Sequence, residues 1–209
     1  MTKELILDFE TMSTDASNCA VIDCSFFVFD RNKMISDNPY TCKSIVDMKK
    51  CKLSIKEQVE KYGYKVSNDT IDFWSKQPKE VQRLIAPKST DITVKEFASE
   101  LFNLLNSSGK ISYWWTRSST FDPIILWRIM EDLGMTNSIN EHLPFWKHRD
   151  MRTYIDAKLD FPKVNGFAPI ENEDFWNKIF KQHDSSWDIL ADVLRIQAIA
   201  RAEKDLKMI

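Results

Sequence analysis

The sequence has few glycines, and they lie far apart. Gly63, Gly109, Gly134 and Gly166 are the only four in a chain of 209 residues. A phosphate-binding P-loop or a dinucleotide-binding turn needs clustered glycines, because its backbone amides must come close to phosphate oxygens. The spacing of the glycines therefore excludes both kinds of site.

Cysteine is scarce as well. Cys19, Cys24, Cys42 and Cys51 form no C-x-x-C pair, and no histidine lies at zinc-ligand spacing from them. Free buried thiols are the simplest interpretation of such cysteines. We therefore assign none of them to a metal and expect a reduced, cytoplasmic protein.

Strong net charge and long apolar runs are also absent. The net charge of −2 leaves no broad basic surface for coating nucleic acid. An enzyme that grips only the end of a strand is still compatible with this charge. No stretch reaches the roughly 18 apolar residues of a membrane span, and with charged residues in the first ten positions we expect no signal-peptide h-region there. The length and the 43% hydrophobic content predict one globular domain over residues 1–209, with no membrane partner.

Patterns of apolar and turn-forming residues predict an α/β fold. Strand-like segments come first, and strands and helices then alternate, which favours a mixed sheet. We predict strands over 4–10, 19–30, 43–48, 110–115 and near 144–149. Capping boxes at Ser54/Glu57 and Thr93/Glu96 mark two helix starts. We predict helices over 54–63, 68–78, 93–105, 121–134, 150–158, 172–181 and 185–207.

Two acidic residues follow the first predicted strand. Leu5, Ile6 and Leu7 form an apolar run typical of a strand buried on both faces, and Asp8 and Glu10 come at its end. Side chains two positions apart on a strand point to the same side, so the two carboxylates lie close together. Burying them unpaired costs several kcal/mol or raises a pKa. We therefore expect a positive partner, which is an Arg, a Lys or a metal.

Further acidic residues lie where loops become helices. Asp122 precedes Pro123 at a predicted helix start, and Asp188 lies in the first turns of the last helix, after His183. Each has a structural alternative. Asp122 is a suitable N-cap, Asp188 suits the helix dipole, and a lone histidine is more often structural than catalytic.

Taken together, these residues form an ordered set. The segments "LDFET", "TIDFWSKQ", "SSTFDPIIL", "HRDMRT" and "HDSSWD" follow one another along nearly the whole chain. In this respect the chain resembles the DEDDh (DnaQ-like) 3′–5′ exonuclease family, closest to the T-even phage exodeoxyribonuclease A type. Asp184 stands where a related branch has tyrosine, which favours the histidine branch. The resemblance implies a ribonuclease H-like mixed sheet flanked by helices.

The resemblance also implies a metal-dependent site. By it, Asp8 bridges two Mg²⁺ ions, with Mn²⁺ able to replace them. Glu10, Asp122 and Asp188 complete the coordination, and His183 is the general base. Physical chemistry agrees, because hard divalent ions prefer carboxylate oxygens, and a histidine with a pKa near 6.5 can accept a proton from water at neutral pH.

Substrate contacts follow from the same resemblance. Phe9, Thr11 and Met12 match the region where relatives hold the terminal nucleotide, although a Met near a strand end is more often core. Trp74 could stack on a base, with packing on a helix face as an equal alternative. Arg149, like Arg152, could contact phosphate, unless it pairs with Asp150 at the surface. Asp184 is expected to be a local cap. Asp192 falls one helical turn beyond Asp188 on the same face and could support the metal ligands, but we prefer solvent or a surface pair for it.

We expect an exonuclease that releases nucleoside 5′-monophosphates from the 3′ end of single-stranded DNA. The helix-rich, insertion-like region 31–109 is expected to shape the substrate entrance. Two alternatives stay open, an exoribonuclease with the same site and a silent nucleic-acid-binding domain. The resemblance further suggests a phage enzyme working in a bacterial host's cytoplasm.

Overall fold

A computed structural model describes residues 2–33, 48–159, 166–168, 170, 178 and 180–206. Strands in this part of the chain form a five-stranded sheet with the order β3-β2-β1-β4-β5. The strands are β1 (Glu4–Thr11), β2 (Val21–Phe29), β3 (Lys49–Lys52), β4 (Tyr113–Thr116) and β5 (His148–Asp150).

The first strand lies at the centre of this mixed sheet. It pairs with β2 in the antiparallel sense and with β4 in the parallel sense. The strands β3 and β5 form the outer positions, antiparallel to β2 and parallel to β4. Since helices cover both faces, β1 needs apolar residues on both sides, which explains its continuous apolar run.

Helices connect and cover the strands. Their bounds are α1 (Ile55–Tyr62), α2 (Asn68–Ser75), α3 (Lys79–Ile85), α4 (Val94–Ser108), α5 (Asp122–Asp132), α6 (Thr136–His142), α7 (Met151–Leu159) and α8 (Ser185–Leu206). A short 3₁₀ turn, Phe145–Lys147, precedes β5. Within the described residues, we find no helix that combines the length and the apolar character required to cross a bilayer.

Each face of the sheet has its own apolar core. On one face, Leu5 and Leu7 pack with residues of α4 and α5, including Phe97 and Ile125. On the other face, residues of β1, β2 and β4 pack against α7 and α8, the latter through Ile189, Val193 and Ile196. The long helix α8 therefore lies across the central strands and can deliver side chains to the end of β1.

The predicted helix caps are largely confirmed. Thr93 and Glu96 form the reciprocal capping box of α4. Ser54 caps α1 by accepting the amide of Glu57, but the Glu57 carboxylate accepts the amide of Val94 instead of completing the box. The first turn of α1 is therefore also linked to the start of α4 through Glu57.

Some predicted boundaries differ from the structure. The third strand is Lys49–Lys52 rather than 43–48, of which 43–47 lies outside the described residues. Almost all of the helix predicted over 172–181 also lies outside them. The short helices α3 and α6 were not predicted from the sequence.

The cysteines of the core agree with the sequence-based interpretation. Cys19, Cys24 and Cys51 are buried and free, while Cys42 lies outside the described residues. Burial raises the pKa of the Cys19 thiol to about 11, which leaves it unreactive at neutral pH. Trp114 and Trp115 are each 1% exposed and are also part of the core.

Candidate active site

The end of β1 presents Asp8 and Glu10 on the sheet face that α8 covers. Asp8 is the register partner of Ser25, and Glu10 is the partner of Asp23. The pairing shifts between Glu10 and Thr11. Such an irregularity adds local twist and is often found beside active sites, where it redirects a side chain.

Helix α8 adds a third carboxylate to this pair. Asp188 lies in the first turns of α8, and one carboxylate oxygen from each of Asp8, Glu10 and Asp188 lies within 4.8 Å of the other two. All three residues are partly buried. Residues distant in sequence thus place three oxygen ligands around one small volume.

The fourth predicted carboxylate, Asp122, lies next to this cluster. It is the first residue of α5 and is 3% exposed. Its Oδ1 accepts a hydrogen bond from the backbone amide of Phe9 at 3.2 Å. Because Phe9 lies between Asp8 and Glu10 in β1, this bond fixes Asp122 beside the other acids. Asp122 is not the N-cap of α5, since that position belongs to Phe121.

Burial raises the pKa values of all four carboxyls, and repulsion from other acids of the set adds to this for Asp8 and Glu10. Burial, followed by the charges of Asp122 and Glu10, raises the pKa of Asp8 well above its usual range. Burial and then Asp188 do the same to the pKa of Glu10. Burial raises the pKa values of Asp122 and Asp188 to about 7. Anions that oppose one another in this way would be stabilised by a bound cation.

The ligand set fits a hard divalent cation. All the clustered donors are carboxylate oxygens, the type that Mg²⁺ and Mn²⁺ prefer. Repulsion among these carboxylates is not fully offset by nearby cations, although Lys50 lowers the pKa of Glu10 and Arg117 that of Asp188. The donor type and this repulsion both match a metal site.

His183 lies at the edge of this cluster, in the turn that leads into α8. Its φ angle is +61°, a conformation that residues other than glycine adopt infrequently. The imidazole packs edge-on against Phe73 and Trp74, with ring centroids 5.2 and 5.9 Å away. Burial lowers the pKa of His183, so the ring is neutral at physiological pH and can accept a proton.

A cavity of about 510 Å³ opens over the carboxylates and His183. Its other walls include three arginines, Arg117, Arg152 and Arg195. Among the described residues, Nε of Arg152 and Nε and Nη2 of Arg117 are buried without a hydrogen-bond partner. The cavity thus combines a cluster of anions with cationic walls.

Asp192 organises two of these arginines. Its Oδ1 accepts hydrogen bonds from Arg117 at 2.5 Å and from Arg195 at 2.8 Å. The residue is 3% exposed. The expectation that Asp192 faces solvent or a surface partner was wrong, because α8 turns this face of the helix towards the cavity and the core.

Phe9, Thr11 and Met12 lie around the end of β1. Phe9 lines the cavity, and its ring packs on Phe97 at 5.8 Å. Thr11 is 9% exposed, and its hydroxyl donates to the carbonyl of Ser13 at 2.8 Å. Met12 is partly buried against the core. Of these three residues, Phe9 is the one that lines the cavity.

Trp74 does not have an open face for a base. It is 4% exposed, and its Nε1 donates to the carbonyl of Thr11 at 3.0 Å. Stacking on a base requires an accessible ring face, so the packing alternative describes this side chain better. Its contact with His183 makes it a support for that ring.

Arg149 also lies apart from the residues that line the cavity. Its Nη1 donates to the carbonyls of Trp146 and His148, and its guanidinium lies 4.3 Å from the Tyr113 ring centroid. Arg152 lines the cavity instead. Of the two arginines, Arg152, in the first turn of α7, lies on the cavity wall, whereas Arg149, on β5, does not.

A polar network lies beneath the His183 turn, and sequence reasoning missed it. Lys50 donates to Asp184 at 2.7 Å and also lies 3.4 Å from Asp23. Asp184 accepts the amide of Ser186 at 3.0 Å, which confirms it as a local cap. The one available hint is that β3 has the composition "KKCK", whose lysines are unusual in a strand next to an acidic site.

A profile of one protein family, the 3′–5′ exoribonuclease Rv2179c-like domain, matches residues 3–176. The chain belongs to this family. The match includes Asp8, Glu10 and Asp122 but ends before His183 and Asp188. The geometry described above is what adds the last two residues to the site of this Rv2179c-like domain.

Several known proteins are similar to this Rv2179c-like chain in sequence or in fold. An exodeoxyribonuclease of Enterobacteria phage T4 is 28% identical over 213 residues, covering 95% of this chain and 89% of the relative. Exonuclease I from Methylocaldum szegediense has a TM-score of 0.57 at 11% identity, covering 94% of this chain and 40% of its own length. The Mg²⁺- and Mn²⁺-bound form of S. pombe Pop2p has a TM-score of 0.52 at 12% identity, covering 94% and 80%.

Two sequence-based predictions are confirmed by these likenesses. The family match and the phage relative confirm a DEDDh-type 3′–5′ exonuclease, and the structural neighbours confirm the ribonuclease H-like fold. The chain spans only 40% of the length of the exonuclease I structure, so that comparison concerns the fold alone.

Proposed function

We propose that this 3′–5′ exonuclease domain uses divalent cations to remove nucleotides one at a time from the 3′ end of single-stranded DNA, releasing nucleoside 5′-monophosphates. The carboxylate cluster carries the proposal, because Asp8, Glu10 and Asp188 bring their oxygens within 4.8 Å of one another at the base of a cavity. The phage relative with 28% identity supports work in a bacterial host's cytoplasm.

In this proposal Asp8, Glu10 and Asp188 hold the cations, and Asp122 completes the set from α5. Two Mg²⁺ ions would activate the attacking water and neutralise charge on the phosphate and the leaving oxygen, and Mn²⁺ would serve as well. The S. pombe Pop2p neighbour is described in a form with both ions bound. The Asp122–Phe9 hydrogen bond keeps the acids in place before substrate arrives.

His183 is the proposed general base. It lines the same cavity as Asp8 and Asp188 and has a pKa lowered by burial. A neutral imidazole takes one proton from the attacking water as that oxygen bonds to phosphorus and the P–O3′ bond breaks. The O3′ oxygen leaves with the shortened strand and becomes its 3′-hydroxyl by taking a proton from solvent. The packing of Phe73 and Trp74 against the ring limits its rotation.

The arginines of the cavity are the proposed phosphate contacts. Among the described residues, Arg117 and Arg152 have buried guanidinium nitrogens without hydrogen-bond partners. Guanidinium groups bind phosphate through paired hydrogen bonds. We assign Arg152 to the phosphate of the terminal nucleotide, while Arg117 is also held by Asp192.

A second cavity supports an entrance for a single strand. It has a volume of about 490 Å³, lies between α3 and the His183 turn, and shares His183 and Gln182 with the first cavity. Val81, Arg83 and Leu84 contribute to its wall. We propose that the next nucleotide occupies this space, so that region 31–109 shapes the entrance through α3.

The most specific part of the proposal is the sugar of the substrate, which is deoxyribose in DNA and ribose in RNA. The phage T4 relative is named an exodeoxyribonuclease and aligns over 89% of its length, which favours DNA. The family is named for exoribonuclease activity, which makes RNA the second candidate. Both use the same carboxylates, and only contacts to the 2′-hydroxyl would distinguish them.

Digestion of matched single-stranded DNA and RNA oligonucleotides, labelled at the 5′ end, tests the proposal. A one-nucleotide ladder on DNA, lost in chelator and in the His183→Ala and Asp188→Asn proteins, is expected. A ladder on RNA alone would overturn the choice of DNA. Binding without product, equal in chelator and Mg²⁺, would favour the silent binding domain.

A further inference from the structure

A buried ion-pair network connects the edge of the sheet to the His183 turn. Lys50 lies on β3 in the same sheet row as Ser25 and Asp8, since Ser25 is the register partner of both. From this position Nζ of Lys50 contacts Asp184 at 2.7 Å and Asp23 at 3.4 Å. The Lys50 side chain is 29% exposed, whereas that of Asp23 is 3% exposed.

The same network fixes the start of α8. The hydroxyl of Ser185 donates to Asp23 at 2.5 Å and shares a hydrogen bond with the hydroxyl of Ser25 at 2.7 Å. Asp184 accepts the amide of Ser186 at 3.0 Å. Residues directly after His183 are therefore bound to both β2 and β3.

Asp23 and Asp184 are two acidic side chains paired with the same lysine. Burial raises the pKa of Asp23, Lys50 lowers it, and the charge of Asp184 adds to the increase. Lys50 is the cation that contacts both carboxylates. Removing one partner of a buried charge network leaves the remaining charges uncompensated, which is unfavourable. Without Lys50, Asp184 would move away from Asp23 and carry the turn with it.

His183 depends on this turn, because it precedes Asp184 and has a φ angle of +61°. A side chain other than glycine keeps this conformation only where its surroundings enforce it. Two rings hold the imidazole from one side. On the backbone side, the network of Lys50, Asp23 and Asp184 provides the restraint.

We infer that Lys50 is a positioning residue for His183, acting through Asp184 and the backbone of the turn. This inference rests on the proposed function, in which His183 is the general base. The electrostatic effect of Lys50 on Glu10 offers a different route to catalysis, and the experiment separates the two routes.

Kinetics of Lys50→Met protein on a single-stranded DNA oligonucleotide provide the first test. We expect kcat to fall about 100-fold with KM little changed, the size of effect that a displacement of about 1 Å can cause. Lys50→Arg should restore part of the rate. The control is Lys49→Met, which removes the neighbouring lysine that pairs with Glu100 at 3.4 Å on the exposed edge and should leave kcat unchanged.

A double variant separates positioning from an effect on Glu10. If Lys50 acts through His183, Lys50→Met adds little to the defect of His183→Ala. A full further loss of about 100-fold in the double variant would overturn the inference. If the His183→Ala protein is as active as the wild-type protein, that result would instead contradict the proposed role of His183.

Nuclear magnetic resonance gives a readout that does not depend on activity. The chain has three histidines, so the imidazole Cε1–H signals can be assigned one by one. Lys50→Met should move the signal of His183 and leave those of His142 and His148 in place. An unchanged His183 signal in a folded Lys50→Met protein would overturn the inference even if the protein had no nuclease activity.

Discussion

Nε1 of Trp74 donates a hydrogen bond to the carbonyl of Thr11 at 3.0 Å. This contact joins α2 to the end of β1, one residue beyond Glu10. The same indole packs edge-on against His183. One buried side chain therefore connects the strand that carries two acidic residues with the turn that carries the proposed base.

Replacing Trp74 with Phe tests this connection. The change leaves the buried carbonyl of Thr11 without its donor, so we expect the free energy of unfolding to fall by about 1–3 kcal/mol. Urea denaturation measures the loss. Phe73→Leu is the control, because Phe73 also contacts His183 but is 42% exposed and should change stability by no more than about 0.5 kcal/mol. Equal losses in both variants would contradict the importance of the hydrogen bond.

Stability without metal should depend on pH through the carboxylate cluster. Burial raises the folded-state pKa values of Asp122 and Asp188 to about 7, above the value of about 3.9 in the unfolded chain. Protonated acids therefore favour folding at low pH, and their contribution is lost as pH rises through about 7. In chelator, we expect the wild-type Tm to fall between about pH 4 and pH 7 more steeply than that of Asp188→Asn.

A bound divalent cation favours the ionised acids and should reverse this trend. We expect Mn²⁺ to raise the wild-type Tm more at about pH 8 than at about pH 5, and to have a smaller effect on Asp188→Asn. Thermal unfolding in chelator and in Mn²⁺ measures the difference. An equal increase at both pH values, or in both proteins, would place the bound ion elsewhere.

Arg152 should contribute to substrate binding more than Arg149 does. Arg152→Gln removes a guanidinium group from the cavity wall, and we expect KM for a DNA oligonucleotide to rise about 10-fold, which corresponds to about 1.4 kcal/mol. Arg149→Gln is the matched control, since that side chain contacts backbone carbonyls and the Tyr113 ring. A larger effect from Arg149 would contradict the assignment of the phosphate contact to Arg152.

The second cavity predicts a dependence on substrate length. Leu84→Trp should fill part of the space between α3 and the His183 turn, since Leu84 lines it. We expect slower cleavage of DNA oligonucleotides but unchanged cleavage of the p-nitrophenyl ester of thymidine 5′-monophosphate, which has no second nucleotide. Equal inhibition on both substrates would indicate damage to the main site rather than a blocked entrance.

Only part of the acidic site could be predicted from local sequence. Asp8 and Glu10 share one strand face, whereas Asp122 and Asp188 were grouped with them only through the resemblance to a known family. Partners that depend on tertiary contacts could not be predicted in this way. Asp192 is buried by its ion pairs with Arg117 and Arg195. Arg152 rather than Arg149 reaches the cavity because Arg152 lies on α7, whereas Arg149 lies on the edge strand β5.

The fold shows the same division. Long apolar strands and well-capped helices such as α4 were predicted from sequence. The edge strand Lys49–Lys52 has three lysines and no apolar alternation, and charge of this kind discourages pairing with another chain at a sheet edge. The helix Lys79–Ile85 buries only Val81. Such short elements contain too few apolar residues for a helical or strand periodicity to be recognised in the sequence.

The most direct test of the metal site is anomalous X-ray diffraction from crystals grown with Mn²⁺ and thymidine 5′-monophosphate. We predict two anomalous peaks about 3.5–4 Å apart, bounded by the carboxylates of Asp8, Glu10 and Asp188, with His183 outside the coordination sphere. An empty carboxylate cluster at saturating Mn²⁺, or an ion bound by His183 itself, would contradict the proposed site.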